Sequence, residues 1–501
     1  MNQRLKTSER GISIRQVNRE ELESLGYSED ILPTRSEDRN WNIGNFTTLW
    51  MGTVHNIPNY IVIGGLFALG LSVGQVFAAI VAASIFLALT MVLNGHAGSK
   101  YGLPFAMLLR SSYGTKGAMI PGVLRGVIAA IMWFGFQTYA GSQALSILIG
   151  KLWPTYLTLG GDWNLLGLSL PALISFLLFW SVNVALIYGG MGFLGKFNNI
   201  LSPLVYIVFG GMAIWAIKLA GGIGPILAYT GAGVQGNPVI IFLAAVTAIL
   251  AAWAAPIVSV SDFTRLARST KDQAIGQTIG LVVTYLLFAV ASISIIVGSE
   301  IAFGTPIWNV LDVVARFDGG FAVGISVLTL CLTTLSVNVT GNIVPAGYQL
   351  ASLFPKTLTF RSGATIAAVI GILVMPWKLM ENATSIFTFL NIVGGLLAPI
   401  AGVMFAHYFM VSKTEIDIKE LYAGEGKYRY HNGFNINAII TTVVAGVICL
   451  IGNFIPFFKP LYDISWFVGV ISAFTIYCLL EISSTKGIKL QRVGKLNQEN
   501  N

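Results

Sequence analysis

Gly52-Thr53-Val54-His55-Asn56-Ile57-Pro58-Asn59-Tyr60 lies in the middle of the first long apolar run of the chain. Two asparagines, a histidine and a proline are unusual at bilayer depth, where an unpaired polar group is costly. Proline also removes a backbone donor and disturbs the preceding turn. Five apolar runs later a second interruption follows: Ala251-Ala252-Trp253-Ala254-Ala255-Pro256, with Ser259 and Ser261 just behind it. A proline kink in one membrane helix has no special meaning. Two breaks five runs apart, one beside amides and one beside a tryptophan, mark an inverted repeat whose broken helices meet at mid-membrane. The expected fold is an all-α polytopic membrane protein with a five-plus-five inverted repeat and helices 1 and 6 broken.

The rest of the chain supports that frame. Of 501 residues, 55% are apolar and 10% charged, against roughly 25% charged in soluble domains. The mean hydropathy is +0.74. Apolar runs fall near residues 47–70, 73–93, 117–149, 170–190, 197–219, 238–261, 271–298, 320–353, 362–380, 384–412, 436–456 and 461–482. Each is long enough for a crossing, so twelve transmembrane helices are expected. The chain divides into an N-terminal tail (1–46), a transporter domain (47–482) and a C-terminal tail (483–501). The opening forty residues are polar, so no cleavable signal peptide is expected.

Lys and Arg set the orientation. On the side of the tails lie Lys100, Arg110, Lys116, Lys196, Arg265, Arg268, Lys271, Lys356, Arg361, Lys413, Lys419, Lys427 and Arg429. The opposite side has Lys151, Lys218, Arg316, Lys378 and Lys459. Both tails are therefore expected in the cytoplasm of a multi-pass cell-membrane protein. The net charge of +8 comes from short gaps rather than a basic stripe, so nucleic acid is not an expected partner. The lipid bilayer is. Cys331, Cys449 and Cys478 lie in apolar runs without paired spacing and are expected to be packing residues. Arg125 and Asp262 lie toward span ends, where snorkelling or a structural ion pair is the plain expectation.

Two further spans carry polar residues at mid-helix. In the third, Trp133 and Gln137 are four apart and share a face. In the eighth, Thr333, Ser336 and Thr340 form one stripe and Asn338 with Asn342 another. Asn338 serves helix–helix bonding and function equally well; Gln137 and Asn342 fit a cavity wall better, since their spans are equivalent members of the two repeats. Asn56, Gln137 and Asn342 supply amides that donate and accept, and Trp133 and Trp253 supply flat surfaces. Such a site suits a small, flat, polar and uncharged cargo with alternating N–H and C=O groups.

At these residues the chain resembles the nucleobase:cation symporter-1 family, and within it the bacterial allantoin permeases. Asn94 to Arg110 (NGHAGSKYGLPFAMLLR), Ile131 to Ser142 (IMWFGFQTYAGS) and Pro376 to Asn382 (PWKLMEN) carry the resemblance, which runs from Gly26-Tyr27-Ser28-Glu29-Asp30 to Trp466-Phe467-Val468-Gly469. It implies twelve helices, ten of them in the inverted repeat, and a ring-binding site at Trp133, Gln137, Trp253 and Asn342. Asn56 corresponds to a glutamine of the family's hydantoin transporter. It also implies a sodium site made by the carbonyls of Gly52, His55 and Thr333, the hydroxyl of Ser336 and a second hydroxyl one residue later. That position is Val337, which has no side-chain oxygen.

The expected function is secondary active import of allantoin or a close ureide or hydantoin, by a monomer without a cofactor. Sodium or a proton is the expected coupling ion. A uracil, cytosine or purine permease is the alternative. An ATP-driven pump would normally show a phosphate-binding loop, and the sequence has none. An enzyme is not expected: His55, His96, His407 and His431 are scattered, the last three at helix ends or in loops. His55, at the first break, is the candidate for proton sensing.

Overall fold

The computed structural model describes residues 19–499 apart from residues 28, 190, 306, 308, 317–319, 355–356, 382 and 425. Residues 1–18 of the N-terminal tail, Ser28, Lys356 and Asn382 lie outside the described residues, as does the side chain of Lys196. Among the described residues, eight helices are long and apolar enough to cross a bilayer, and four shorter apolar helices complete the set. The first span is Ile43–Val54 plus Ile57–Ala68, the second Val73–Tyr101 and the third Met119–Leu152. The fourth and fifth are Leu170–Gly189 and Met191–Leu219. The sixth is Pro238–Ala252 followed by Ala254–Ser259 and Ser261–Thr264, and the seventh is Thr270–Phe303. Span eight covers 320–353, and spans nine to twelve are Phe360–Leu373, Ser385–Val411, Ile436–Leu450 and Ser465–Ser483, the last being the apolar part of a helix that continues to Glu499.

Polar caps fix where these helices start. Asn42 with Asn45, Ser72 with Gln75 and Thr359 with Ser362 form reciprocal capping boxes, while Asn237, Ser269 and Asn435 cap alone. Each satisfies amide hydrogens that a helix start leaves free. The Asn42 cap explains why the first span begins four residues before the apolar run does.

The packing repeats after five spans. Span seven lies along span one as span two lies along span six. Span three packs on four as eight packs on nine, and span one meets five as six meets ten. Two units result, one of spans one, two, six and seven, the other of spans three, four, eight and nine. The five-plus-five arrangement is thus visible in the contacts. A π-helical turn interrupts span three at Leu124–Ala129 and span eight at Val339–Ile343.

Close helix approach depends on two glycines of the Asn94–Arg110 motif. The Thr264 hydroxyl donates to the Gly95 carbonyl at 2.8 Å. A Cβ on Gly98 would overlap that hydroxyl and lie 2.9 Å from Ser261 Cα. Backbone cannot swing aside as a side-chain tip can. Gly98→Ala is therefore expected to cost about 1–3 kcal/mol through overpacking, measured as thermal unfolding of the purified protein. An unchanged melting temperature would refute the tight contact.

The N-terminal segment is not a free tail. Leu22, Ile31 and Leu32 are buried in a separate cluster with Tyr101, Leu103, Met107, Leu108, Leu421, Tyr422 and Tyr428. Tyr422 donates to the Ile31 carbonyl at 2.5 Å, Tyr27 to the Tyr422 carbonyl, and Arg110 to the Tyr27 hydroxyl at 2.6 Å. Trp41 exchanges backbone bonds with the stretch after span six, accepting from Arg268 N–H and donating to the Leu266 carbonyl. Docking on this face buries apolar area that water would otherwise meet.

Candidate substrate site

The first break has a definite hydrogen-bond logic. Asn56 is the N-cap of Ile57–Ala68: its Oδ1 accepts from Asn59 N–H at 2.9 Å, and its Nδ2 donates to the Thr53 carbonyl at 2.8 Å. Pro58 sits in the first turn of that second half, where a missing amide hydrogen costs nothing. Asn56 N–H donates to the Val54 carbonyl rather than to Gly52. Asn59 N–H, the regular donor to the His55 carbonyl, is taken by Asn56. The carbonyls of Gly52 and His55 thereby lose their ordinary helical partners.

The second break centres on Trp253, whose backbone leaves the helical region at φ −102° and ψ 3°. Asn94 of span two reaches across and donates to the carbonyls of Ile257 and Val258 at 2.6 and 2.8 Å. The indole N–H of Trp253 donates to the Tyr285 hydroxyl of span seven, and its ring meets Trp50 edge-on at 5.8 Å. Trp253 is a fixed surface with its polar end already occupied.

Span three contributes the opposite case. Trp133 is wedged against Phe136 and Phe389, centroids 5.4 and 5.1 Å away. Its indole N–H is buried and has no partner among the described residues, and the same holds for Gln137 Oε1. One donor and one acceptor, a helical turn apart on one span, are left unpaired. Buried groups in that condition cost about 1–3 kcal/mol each.

Asn342 completes the set from span eight. Its Nδ2 donates at 3.0 Å to Oδ1 of Asn338. Asn338 in turn donates to the Phe134 carbonyl, to Thr138 Oγ1 at 2.9 Å and to Asn183 Oδ1 at 3.1 Å. Asn338 is thus the bond between spans three, four and eight, and its side chain holds Asn342 in place. All five candidates, Asn56, Trp133, Gln137, Trp253 and Asn342, are at most 6% exposed.

The cation candidates divide. Thr333 Oγ1 donates within its own helix, to the Thr329 carbonyl at 2.9 Å, and Ser336 is buried beside it. Val337 is buried too and supplies no oxygen. The His55 ring turns toward spans five and seven, where Tyr206, Phe209 and Phe288 surround it at 4.4, 5.2 and 5.1 Å. Packing, not an ion pair, surrounds that ring. Among the described residues no cluster of His, Cys, Asp or Glu is arranged to hold a metal.

Of snorkelling and a structural ion pair, the burial of Arg125 removes the first. Arg125 is buried, and Asp262 accepts from Phe105 N–H at 2.8 Å as the anchor of the short helix Phe105–Tyr113. Tyr285, Asn183, Asn94 and Phe389 pack on or bond to the candidate residues and the breaks without being marked by the sequence, except Asn94, which lies inside a quoted motif. Cys331 and Cys449 are buried and free, and Cys478 is half-buried. His407 lies in the last turn of span ten, near the expected helix end, and is buried between the Tyr477 and Ser412 hydroxyls.

A protein of Escherichia coli (strain K12) named "Putative allantoin permease" is 56% identical over 467 residues, 93% of this chain and 96% of that one. The allantoin permease of Bacillus subtilis (strain 168) is 47% identical, covering 90% and 92%. A nucleobase-cation-symport-1 family transporter, solved in a closed conformation with bromovinylhydantoin bound, superposes with a TM-score of 0.76 at 25% identity, covering 92% of this chain and 96% of that chain. The family model described as permease for cytosine/purines, uracil, thiamine, allantoin matches residues 33–469. The chain belongs to that permease family, and it is a multi-pass membrane transporter rather than an enzyme.

Proposed function

We propose that this transporter imports allantoin or a closely related ureide, acting as a monomer with both tails in the cytoplasm. The ring would lie between Trp133 and Trp253 and bond to Gln137, Asn342 and Asn56. The supporting observation is the unpaired pair on span three, Trp133 N–H and Gln137 Oε1. A ureide edge offers a carbonyl to the first and an N–H to the second. Asn56 and Asn342 each keep further hydrogen-bonding capacity after their structural bonds. The allantoin permeases among the relatives point to the same cargo.

Uptake of radiolabelled allantoin into vesicles holding the purified protein tests this. Saturable uptake is expected, competed by hydantoin more strongly than by uracil. Complete competition by uracil or cytosine at lower concentration would favour a nucleobase permease instead.

Coupling to a cation follows the same logic. The released Gly52 and His55 carbonyls suit a hard cation that takes oxygen ligands. Val337, by resemblance, stands where a fifth oxygen is expected. Wild-type uptake is therefore expected to depend little on sodium, and Val337→Thr to raise the ratio of initial rates in sodium and choline at fixed pH. Strong sodium stimulation of the wild type would overturn this part alone.

A further inference from the structure

Among the described residues Arg125 is the largest fully buried charged side chain, only 1% exposed. It lies on span three, two turns before Trp133, on the side of the tails. Its Nε donates to the Ala255 carbonyl at 2.6 Å and to Ser259 Oγ at 3.0 Å, both on span six. One Nη donates to the Gly341 carbonyl at 3.2 Å, in the π-helical turn of span eight. Ala255 is two residues from Trp253, and Gly341 adjoins Asn342. One planar guanidinium therefore reaches the backbone beside both opposing walls of the site. Span six belongs to one packed unit, spans three and eight to the other.

A lysine ammonium is a point charge; a guanidinium presents donors in a fixed fork. The fork serves span six and span eight from two separate nitrogens, where an ammonium would have to serve both from one. Its remaining Nη1 has no partner among the described residues, so the cation is short of full satisfaction. A buried cation stripped of partners is costly, so the bonds to span six can part only as water on the side of the tails takes their place.

We propose that Arg125 is a positioning residue for the substrate site and the tie that closes it on the side of the tails. It sets the spacing of the Trp253 and Asn342 walls, and its bonds to span six must part before cargo leaves on that side. The inference rests on the site reading above for the identity of those walls, not for the cargo.

Hydrogen exchange of the full chain in vesicles, without ligand, tests the tie. In Arg125→Met, exchange is expected to rise at least tenfold in segments 254–264 and 339–345. Segments 57–68 and 238–250, on the far side of the breaks, should keep wild-type rates. Arg125→Lys should exchange faster than wild type in at least one of the two segments, since a single nitrogen replaces the two that the fork places against spans six and eight. Allantoin affinity should fall at least tenfold in Arg125→Met. Unchanged exchange, a uniform rise over all segments, or full restoration by lysine would overturn the proposal. Should Arg125→Met fail to fold, Ser259→Ala removes one acceptor alone. A two- to threefold rise confined to 254–264 is then expected, and wild-type exchange there counts against the tie. Were the wild type not to bind allantoin, the cargo reading would fall while the exchange pattern still decided the role of Arg125.

Discussion

Gln137→Leu weakens allantoin binding by roughly ten- to a hundredfold and leaves the empty protein as stable as before, or more so. The two signs follow from one observation. Gln137 Oε1 is buried without a partner in the empty protein, so removing it relieves an unsatisfied acceptor. With cargo bound, the same removal strands the ring N–H, a loss of about 1–3 kcal/mol. Trp133→Phe should behave likewise through its unpaired indole N–H, with a smaller stability gain because a cavity replaces part of the ring. Calorimetric titration together with thermal unfolding separates the two quantities. A marked loss of stability in Gln137→Leu would mean that Oε1 has a structural partner, and the site would fall with it.

Asn338→Leu is expected to act in the opposite way, on stability first. Asn338 bonds to spans three, four and eight at once, and its loss leaves Asn183, Thr138 and Asn342 short of partners. Interhelical bonds in membranes average about 0.6 kcal/mol each, so losing this hub costs roughly 2 kcal/mol. Binding should weaken as well, because Asn342 loses its anchor. Asn183→Leu combined with Asn338→Leu should cost clearly less than the two alone, since both remove one shared bond. Unfolding of the single and double variants decides it; simple additivity would place Asn338 outside any network.

Comparison with the sequence shows which inferences local chemistry supports. Both breaks were legible because proline acts on its own neighbourhood, and Pro58 and Pro256 do so whatever packs nearby. The spans were legible from hydropathy, and the shared helix face of Trp133 and Gln137 from helical spacing. Asn338 could not be separated from Asn342 by spacing alone, since the two are four apart and in fact bonded to each other. What distinguishes them is the company of Asn183 and Thr138, more than 150 residues away in the chain. The burial of Arg125 has a similar cause. Distance from a span end predicts lipid exposure only where no neighbouring helix intervenes, and here spans six and eight both do.

The docked N-terminal segment bears on the order in which the molecule is built. Leu22, Ile31 and Tyr27 leave the ribosome first, yet their partners include Tyr422, Leu421 and Tyr428. Some four hundred residues of chain must be synthesised and inserted before this contact can form. Contacts of such sequence separation form late, after the loop-closure entropy has been met by other packing. The oldest part of the nascent chain is therefore the last to settle. Until it does, the face made by residues 101–108 and 416–428 keeps its apolar side open, a surface for chaperones to hold and for proteases to find.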